Sequence, residues 1–108
     1  MHRDFKQFNI TSGLTQELIN FRDYNNDHKT NYYFKVVIAN NNTKDCKVSL
    51  FNQDINDKSS VTYYYVKNVV IPAGTSLVIK DRFYLPQNPI VIKSESGAID
   101  INMEIQYD

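Results

Sequence analysis

"AIDINMEIQYD", residues 98–108, decides the fold. Ile99, Ile101, Met103, Ile105 and Tyr107 fall on one side of an extended chain, and Asp100, Asn102, Glu104, Gln106 and Asp108 on the other. Side chains of a strand alternate between faces, so this pattern describes a strand that covers a core on one side only. A helix would scatter the same isoleucines around its circumference. The segment is predicted to be a strand with a solvated outer face.

The same period runs through the residues before it. "YYFKVVIAN" places Phe34, Val36 and Ile38 on one face and Tyr33, Lys35, Val37 and Ala39 on the other. "CKVSLFN" sets Cys46, Val48 and Leu50 against Lys47, Ser49 and Phe51. Between them, "NNNTKD" is the polar cluster expected of a hairpin loop, because Asn and Asp tolerate left-handed backbone and bond to their own main chain. In "SVTYYYVKNVVI", taking Lys67 as the mark of the wet face puts Tyr63 and Tyr65 beside it and turns Tyr64 and Val66 inward.

"IPAG" then reads as a type I turn, with Pro72 at its second position and Gly74 at its fourth. "SLVIK" and "PIVIKS" supply further strands, and "SESG" turns into the last one. Near the start, "FKQFNI" and "TQELINF" read as strands broken at Gly13, followed by the polar loop "RDYNNDHKTN". A short helix capped by Thr15, with Leu14, Leu18 and Phe21 on one side, is the alternative for the second segment. The need of the sheet for a partner favours strand. The expected fold is therefore all-β: an antiparallel sandwich, Ig-like or jelly-roll-like, of about seven or eight strands. The 108 residues make one domain.

Twelve basic and twelve acidic side chains are interspersed along the chain. A duplex-binding protein would carry a basic excess or stripe, so neither nucleic acid nor an anionic membrane is an expected partner. Cys46 is the single cysteine and reads as a small, partly buried apolar side chain. The first residues, "MHRDFKQFNI", lack the apolar run of a secretory signal, which makes cytoplasmic synthesis the expectation. On that expectation the triplets at Asn9 and Asn41 go unglycosylated.

Catalytic chemistry finds no foothold. Asp23, Asn25 and Asp27 have the first spacings of a calcium loop, but His28 stands where the glycine belongs and Phe34 where the bidentate glutamate belongs. Two histidines, His2 and His28, have no nucleophile at a motif spacing, and no serine lies in a G-x-S-x-G elbow. Three scattered glycines cannot cradle a phosphate. No catalytic, metal or cofactor residues are expected, and the chain is read as non-enzymatic.

Outward aromatic residues remain. Tyr33, Lys35, Phe51, Tyr63, Tyr65 and Lys67 form the expected protein-contact set, since tyrosine supplies large rigid contact area. Cross-strand pairing on a solvated sheet is the plainer explanation of the same residues. A sugar-stacking platform on Tyr63 and Tyr65 is a third reading.

Segments between residues 36 and 107 resemble short β-sandwich virion proteins of tailed bacteriophages. The residues that carry the resemblance are Ala39 and Asn40, Tyr64, Val66, Lys67 and Asn68, Ile71 to Gly74, and Ser76 and Leu77. "LPQNPIVI", with Pro86 and Pro89, departs from the Gly-Asp turn usual in that class. The resemblance implies a virion structural protein: a capsid decoration, or part of a head–tail neck or tail ring. It also implies partners among capsid, portal or tail subunits, in a symmetric homo-oligomer within the particle. Residues 1–30 lie outside the resemblance and are expected to adapt the module to a specific partner. The alternative is a carbohydrate-binding adhesion module on the particle surface.

Overall fold

The computed structural model describes residues 2–20, 32–83 and 88–107, without the side chains of His2, Phe83 and Tyr107. Eight strands follow in order: β1 (His2–Ile10), β2 (Thr15–Ile19), β3 (Tyr32–Ala39), β4 (Cys46–Asn52), β5 (Tyr63–Ile71), β6 (Ser76–Phe83), β7 (Ile90–Ser96) and β8 (Ile99–Tyr107). They form two antiparallel four-stranded sheets, ordered β1-β8-β3-β6 and β2-β7-β4-β5. Strands pair first with last, β1 with β8, β2 with β7, β3 with β6 and β4 with β5. That nesting is the jelly-roll order of a double-sheet sandwich. The strand reading of residues 15–19 holds, in register with β7.

The core lies where alternation put it. Phe34, Val36 and Ile38 of β3, Cys46, Val48 and Leu50 of β4, and Ile99, Ile101, Met103 and Ile105 of β8 are all buried in one cluster. Tyr32, Leu18, Ile19, Ile90 and Ile92 complete it. Each fully buried Ile or Leu contributes about 1.5–3 kcal/mol relative to exposure, and the dense isoleucine content makes that the main force holding the sheets together.

Two expectations fail, the first because alternation fixes the face of a strand but not its partner. Asn40–Asp45 does not close a hairpin, because β3 and β4 belong to different sheets. Every connection except β4–β5 crosses between layers. The turn after β5 is also offset from its expected register. Its hydrogen bond runs from the Thr75 amide to the Pro72 carbonyl at 3.1 Å, and Gly74, with φ of 73°, occupies the third position. A positive φ at that position belongs to a type II turn rather than type I.

Buried Asn40 ties these two crossings together. Its Nδ2 donates to the carbonyls of Lys44 (2.8 Å) and Ile71 (2.9 Å), while its Oδ1 accepts from the Asn42 amide at 2.9 Å. Its backbone donates to the Thr75 carbonyl and accepts from the Gly74 amide, both at 2.9 Å. The Ala73 amide donates to Asp45 Oδ1 at 3.1 Å. The motif residues around Asn40 and Pro72 are thus one spatial unit that locks the β3–β4 and β5–β6 crossings. At the same end, Gly97 (φ 86°) turns the chain into β8, and a Cβ there would lie 2.2 Å from Cys46 Sγ.

Asn40→Ala strands the Ile71 carbonyl inside the protein and removes part-buried bonds to the Lys44 carbonyl and from the Asn42 amide; a buried group without a partner costs about 1–3 kcal/mol. Urea denaturation is expected to show a loss of about 2–4 kcal/mol. Asn41→Ala, which removes an exposed bond from the Asn41 amide to Asp100, is expected to change stability by no more than about 0.5 kcal/mol. Gly74→Ala and Gly97→Ala both force a side chain into the left-handed region. Only the second also collides with Cys46, so its midpoint is expected to fall further in the same assay.

Candidate interaction surface

β5 is an edge strand, and its pairing with β4 is interrupted twice. Val48 faces Val69 and Leu50 faces Val66, so Lys67 and Asn68 together oppose Ser49. Asn68 takes a φ of 53°, and its amide donates at 3.0 Å to the hydroxyl of Ser49, which is buried on β4. One step further, Phe51 faces Tyr64, which leaves Tyr65 as an extra residue. Each bulge places two residues against one and shifts the alternation beyond it.

The second bulge reverses part of the tyrosine assignment. Lys67 is exposed and Val66 packs against the core, as expected. Tyr64, expected inward, instead stands over Phe51, with ring centroids 5.6 Å apart and planes tilted by 55°. Lys67 Nζ lies 5.0 Å from the centre of the Tyr64 ring, within cation–π range. Phe51 is on the expected outer face but only 6% exposed. It supports Tyr64 rather than offering itself to a partner.

Tyr65 lines a cavity of about 160 Å³ at the seam between β5 and β6, with Phe34, Leu50, Ile79, Ile90 and Asp81. No ladder joins β5 to β6, so the sandwich is unsealed there. Burial pushes the Tyr65 hydroxyl above the ordinary tyrosine range, and the neighbouring Asp81 carboxylate adds to the shift.

The six expected contact residues therefore divide between two surfaces. Phe51, Tyr63, Tyr65 and Lys67 gather along β4–β5, joined by Tyr64, and Tyr63 is the most exposed of the three tyrosines at 64%. Tyr33 and Lys35 are half-buried on the outer face of the other sheet, opposite Arg82 and Lys80 respectively. Sequence reading missed Tyr64 and the cations that surround Lys35. The first had a signal in Asn68, a residue that tolerates positive φ in mid-strand. The second had none, since Arg3, Lys35, Lys80 and Arg82 meet only through cross-strand register.

The β4–β5 loop, residues 53–62, is well built. Asp54 Oδ1 accepts from the Asn56 amide (3.0 Å), and Asp57 Oδ1 accepts from the Ser59 amide (2.9 Å) and hydroxyl (2.7 Å). Those Ser59 bonds hold the Asp57 carboxyl below its usual range. Asn52 Nδ2 donates to the Asn88 and Pro89 carbonyls, fastening the loop to the start of β7. The triplet Asp23, Asn25 and Asp27, rejected as a calcium loop on its sequence, lies outside the described residues, as does Pro86. Among the described residues no three His, Cys, Asp or Glu side chains cluster as metal ligands. Cys46 is buried, more fully than expected, with Asn42 Nδ2 at 3.4 Å from its sulfur.

No protein-family model matches the chain. No curated protein matches it either. Among solved structures, the chain is similar to part of the Clostridium thermocellum endo-1,4-β-D-xylanase 10B, CBM22-1–GH10 modules complexed with xylohexaose. The identity is 18% and the TM-score 0.46, over 89% of this chain and 19% of that one. This chain thus spans about one fifth of that structure. A Bacillus endospore appendage pilus protein aligns at 12% identity and a TM-score of 0.49, over 95% of this chain and 85% of that one. A family 16 carbohydrate-binding module aligns at 13% and 0.40, over 94% and 75%. Likenesses this distant carry nothing about function.

The raised Tyr65 pKa has a defined consequence for stability. An unfolded tyrosine releases its proton near 10.0, while the folded chain holds this one longer. Stability from this group is intact below pH 10 and lost as pH rises from there through the raised value. Absorbance titration at 295 nm is expected to show a late-ionising tyrosine that Tyr65→Phe removes.

Proposed function

We propose that this chain is a non-catalytic structural subunit of a tailed-phage virion. It packs against neighbouring virion proteins, and against copies of itself, as a capsid decoration or as part of a neck or tail ring. The observation that carries this reading is the aromatic end of β5. Tyr63, Tyr64 and Tyr65 are all exposed, with exposed Val61 beside them on the chain. Tyrosines at the centre of an interface contribute more than most residues, because they are large, rigid and able to hydrogen-bond.

The sheet edges support contacts through side chains rather than through added strands. β1 carries Arg3 and Lys6, and β6 carries Lys80 and Arg82. β2 has five residues with a register shift, and β5 has two bulges. Charged residues, short length and bulges are the usual means of stopping open-ended edge pairing. A subunit copied many times needs that protection, along with a single rigid shape. The network around Asn40 and Gly74 supplies rigidity at the residues that carry the resemblance to phage virion proteins.

The adhesion reading draws less support. It needs Tyr63 and Tyr65 as an open pair of rings, whereas Tyr65 is engaged at the seam cavity.

Truncating an interface-centre tyrosine costs about 2 kcal/mol or more, which is roughly 30-fold in a dissociation constant. Tyr63→Ala and Tyr64→Ala are each expected to weaken association by about that factor in sedimentation velocity, with thermal unfolding unchanged within a few degrees. A wild-type protein that stays monomeric at every concentration and is absent from purified particles would overturn the reading.

A further inference from the structure

The outer face of the β1-β8-β3-β6 sheet carries a charge imbalance that the balanced totals conceal. Register places Arg3, Gln106, Tyr33 and Arg82 in one row across the sheet, and Phe5, Glu104, Lys35 and Lys80 in the next. Those two rows hold four cations and one anion. Glu104 sits 4.0 Å from Arg3, and among the described residues Lys35, Lys80 and Arg82 have no ion pair. Lys35 stands directly opposite Lys80 on one side, a like-charge pairing that costs stability, and opposite Glu104 on the other, so one carboxylate serves Arg3, Lys35 and Lys80 together. Beside these rows is a depression of about 340 Å³, lined by Phe5, Gln7, Lys35, Val37, Asn102 and Glu104. Phe5 is 66% exposed, so this surface is both basic and partly apolar.

The chain has equal numbers of acids and bases, so a basic surface leaves acidic ones elsewhere. The β4–β5 loop is one. It presents Asp54 and Asp57 against a single Lys58, with Ile55 and Val61 exposed among them. Its paired Asp-based turns fix its shape before any contact forms, which lowers the entropy lost on binding. The loop continues directly into Tyr63 and Tyr64. It belongs to the opposite sheet, so it cannot fold onto the basic face of its own chain.

We propose that the outer face of the β1-β8-β3-β6 sheet is the receptor for the β4–β5 loop of a second copy of this chain. Asp54 and Asp57 meet Lys35, Lys80 and Arg82, and Ile55 enters the depression between Phe5 and Val37. The inference rests on the reading of the chain as a self-assembling subunit and names the two surfaces that meet. Each copy carries both halves of this heterologous contact, so the contact propagates into a ring where rotation closes and into an open array where it does not.

Charge exchange tests it. Lys35→Glu with Lys80→Glu reverses the receptor. Asp54→Asn, Asn56→Lys and Asp57→Asn together reverse the loop while keeping the side-chain oxygens that form its turns. Each variant alone is expected to self-associate at least about tenfold more weakly than wild type at low salt, with a smaller deficit at high salt. Mixed in equal amounts, the two are expected to recover assembly, because each offers what the other lacks. Circular dichroism confirms that each is folded. Wild-type association that neither variant weakens, or a mixture that fails to recover, overturns this contact and leaves assembly through the β5 tyrosines standing. A wild-type chain that never self-associates overturns this contact, and the proposed function falls with it only if the protein is also absent from purified particles.

Discussion

The structure depends on a constraint at the crossings between its two sheets. In a jelly roll almost every connection changes layer, so the backbone at each crossing leaves one ladder before it joins the next. Polar groups exposed there must find partners or the ends of the sandwich open. Asn40 meets that need for two crossings at once, through its amide side chain and its own backbone. Asn52 does related work at the opposite end, bonding the carbonyls of Asn88 and Pro89. With both ends tied by buried amides, apolar burial between them has one register in which to act. The outer surfaces are then presented in a fixed relation to one another.

Much of this was legible in the sequence, and the limits are physical. Alternation at Ile99–Ile105, Phe34–Ile38 and Cys46–Leu50 assigns faces correctly, since a one-residue slip would expose the whole core set. It carries no information on which strand lies beside which. That is why Asn40–Asp45 reads as a hairpin loop in the sequence and is a crossing between layers in the fold. Bulges are the second limit. The run Tyr63–Ile71 has no Gly or Pro to mark an interruption, and only Asn68 hints at one. Reading straight through Tyr65 turns Tyr64 inward, whereas the fold sets it against Phe51. Lys35 is expected at a contact site, but its companions Arg3, Lys80 and Arg82 come from β1 and β6, far from it in the chain.

The division of the expected contact residues changes the picture of how such a module associates. A single sticky face would favour isologous pairing into dimers. An aromatic, acidic-looped surface on one sheet and a basic, partly apolar surface on the other favour head-to-tail contact instead. The blunted edges agree with that arrangement: backbone pairing is discouraged on β1, β2, β5 and β6, so specificity falls to side chains. The seam cavity at Tyr65 lies beside the same surface and couples its packing to the core through Leu50 and Ile90.

Electron cryomicroscopy of the protein where it associates, or of the virion proposed to contain it, tests the central claim most directly. The account places the rings of Tyr63 and Tyr64 against an adjoining subunit, within contact distance and shielded from solvent. A reconstruction in which both rings face open solvent while the subunit is held by other surfaces would contradict it.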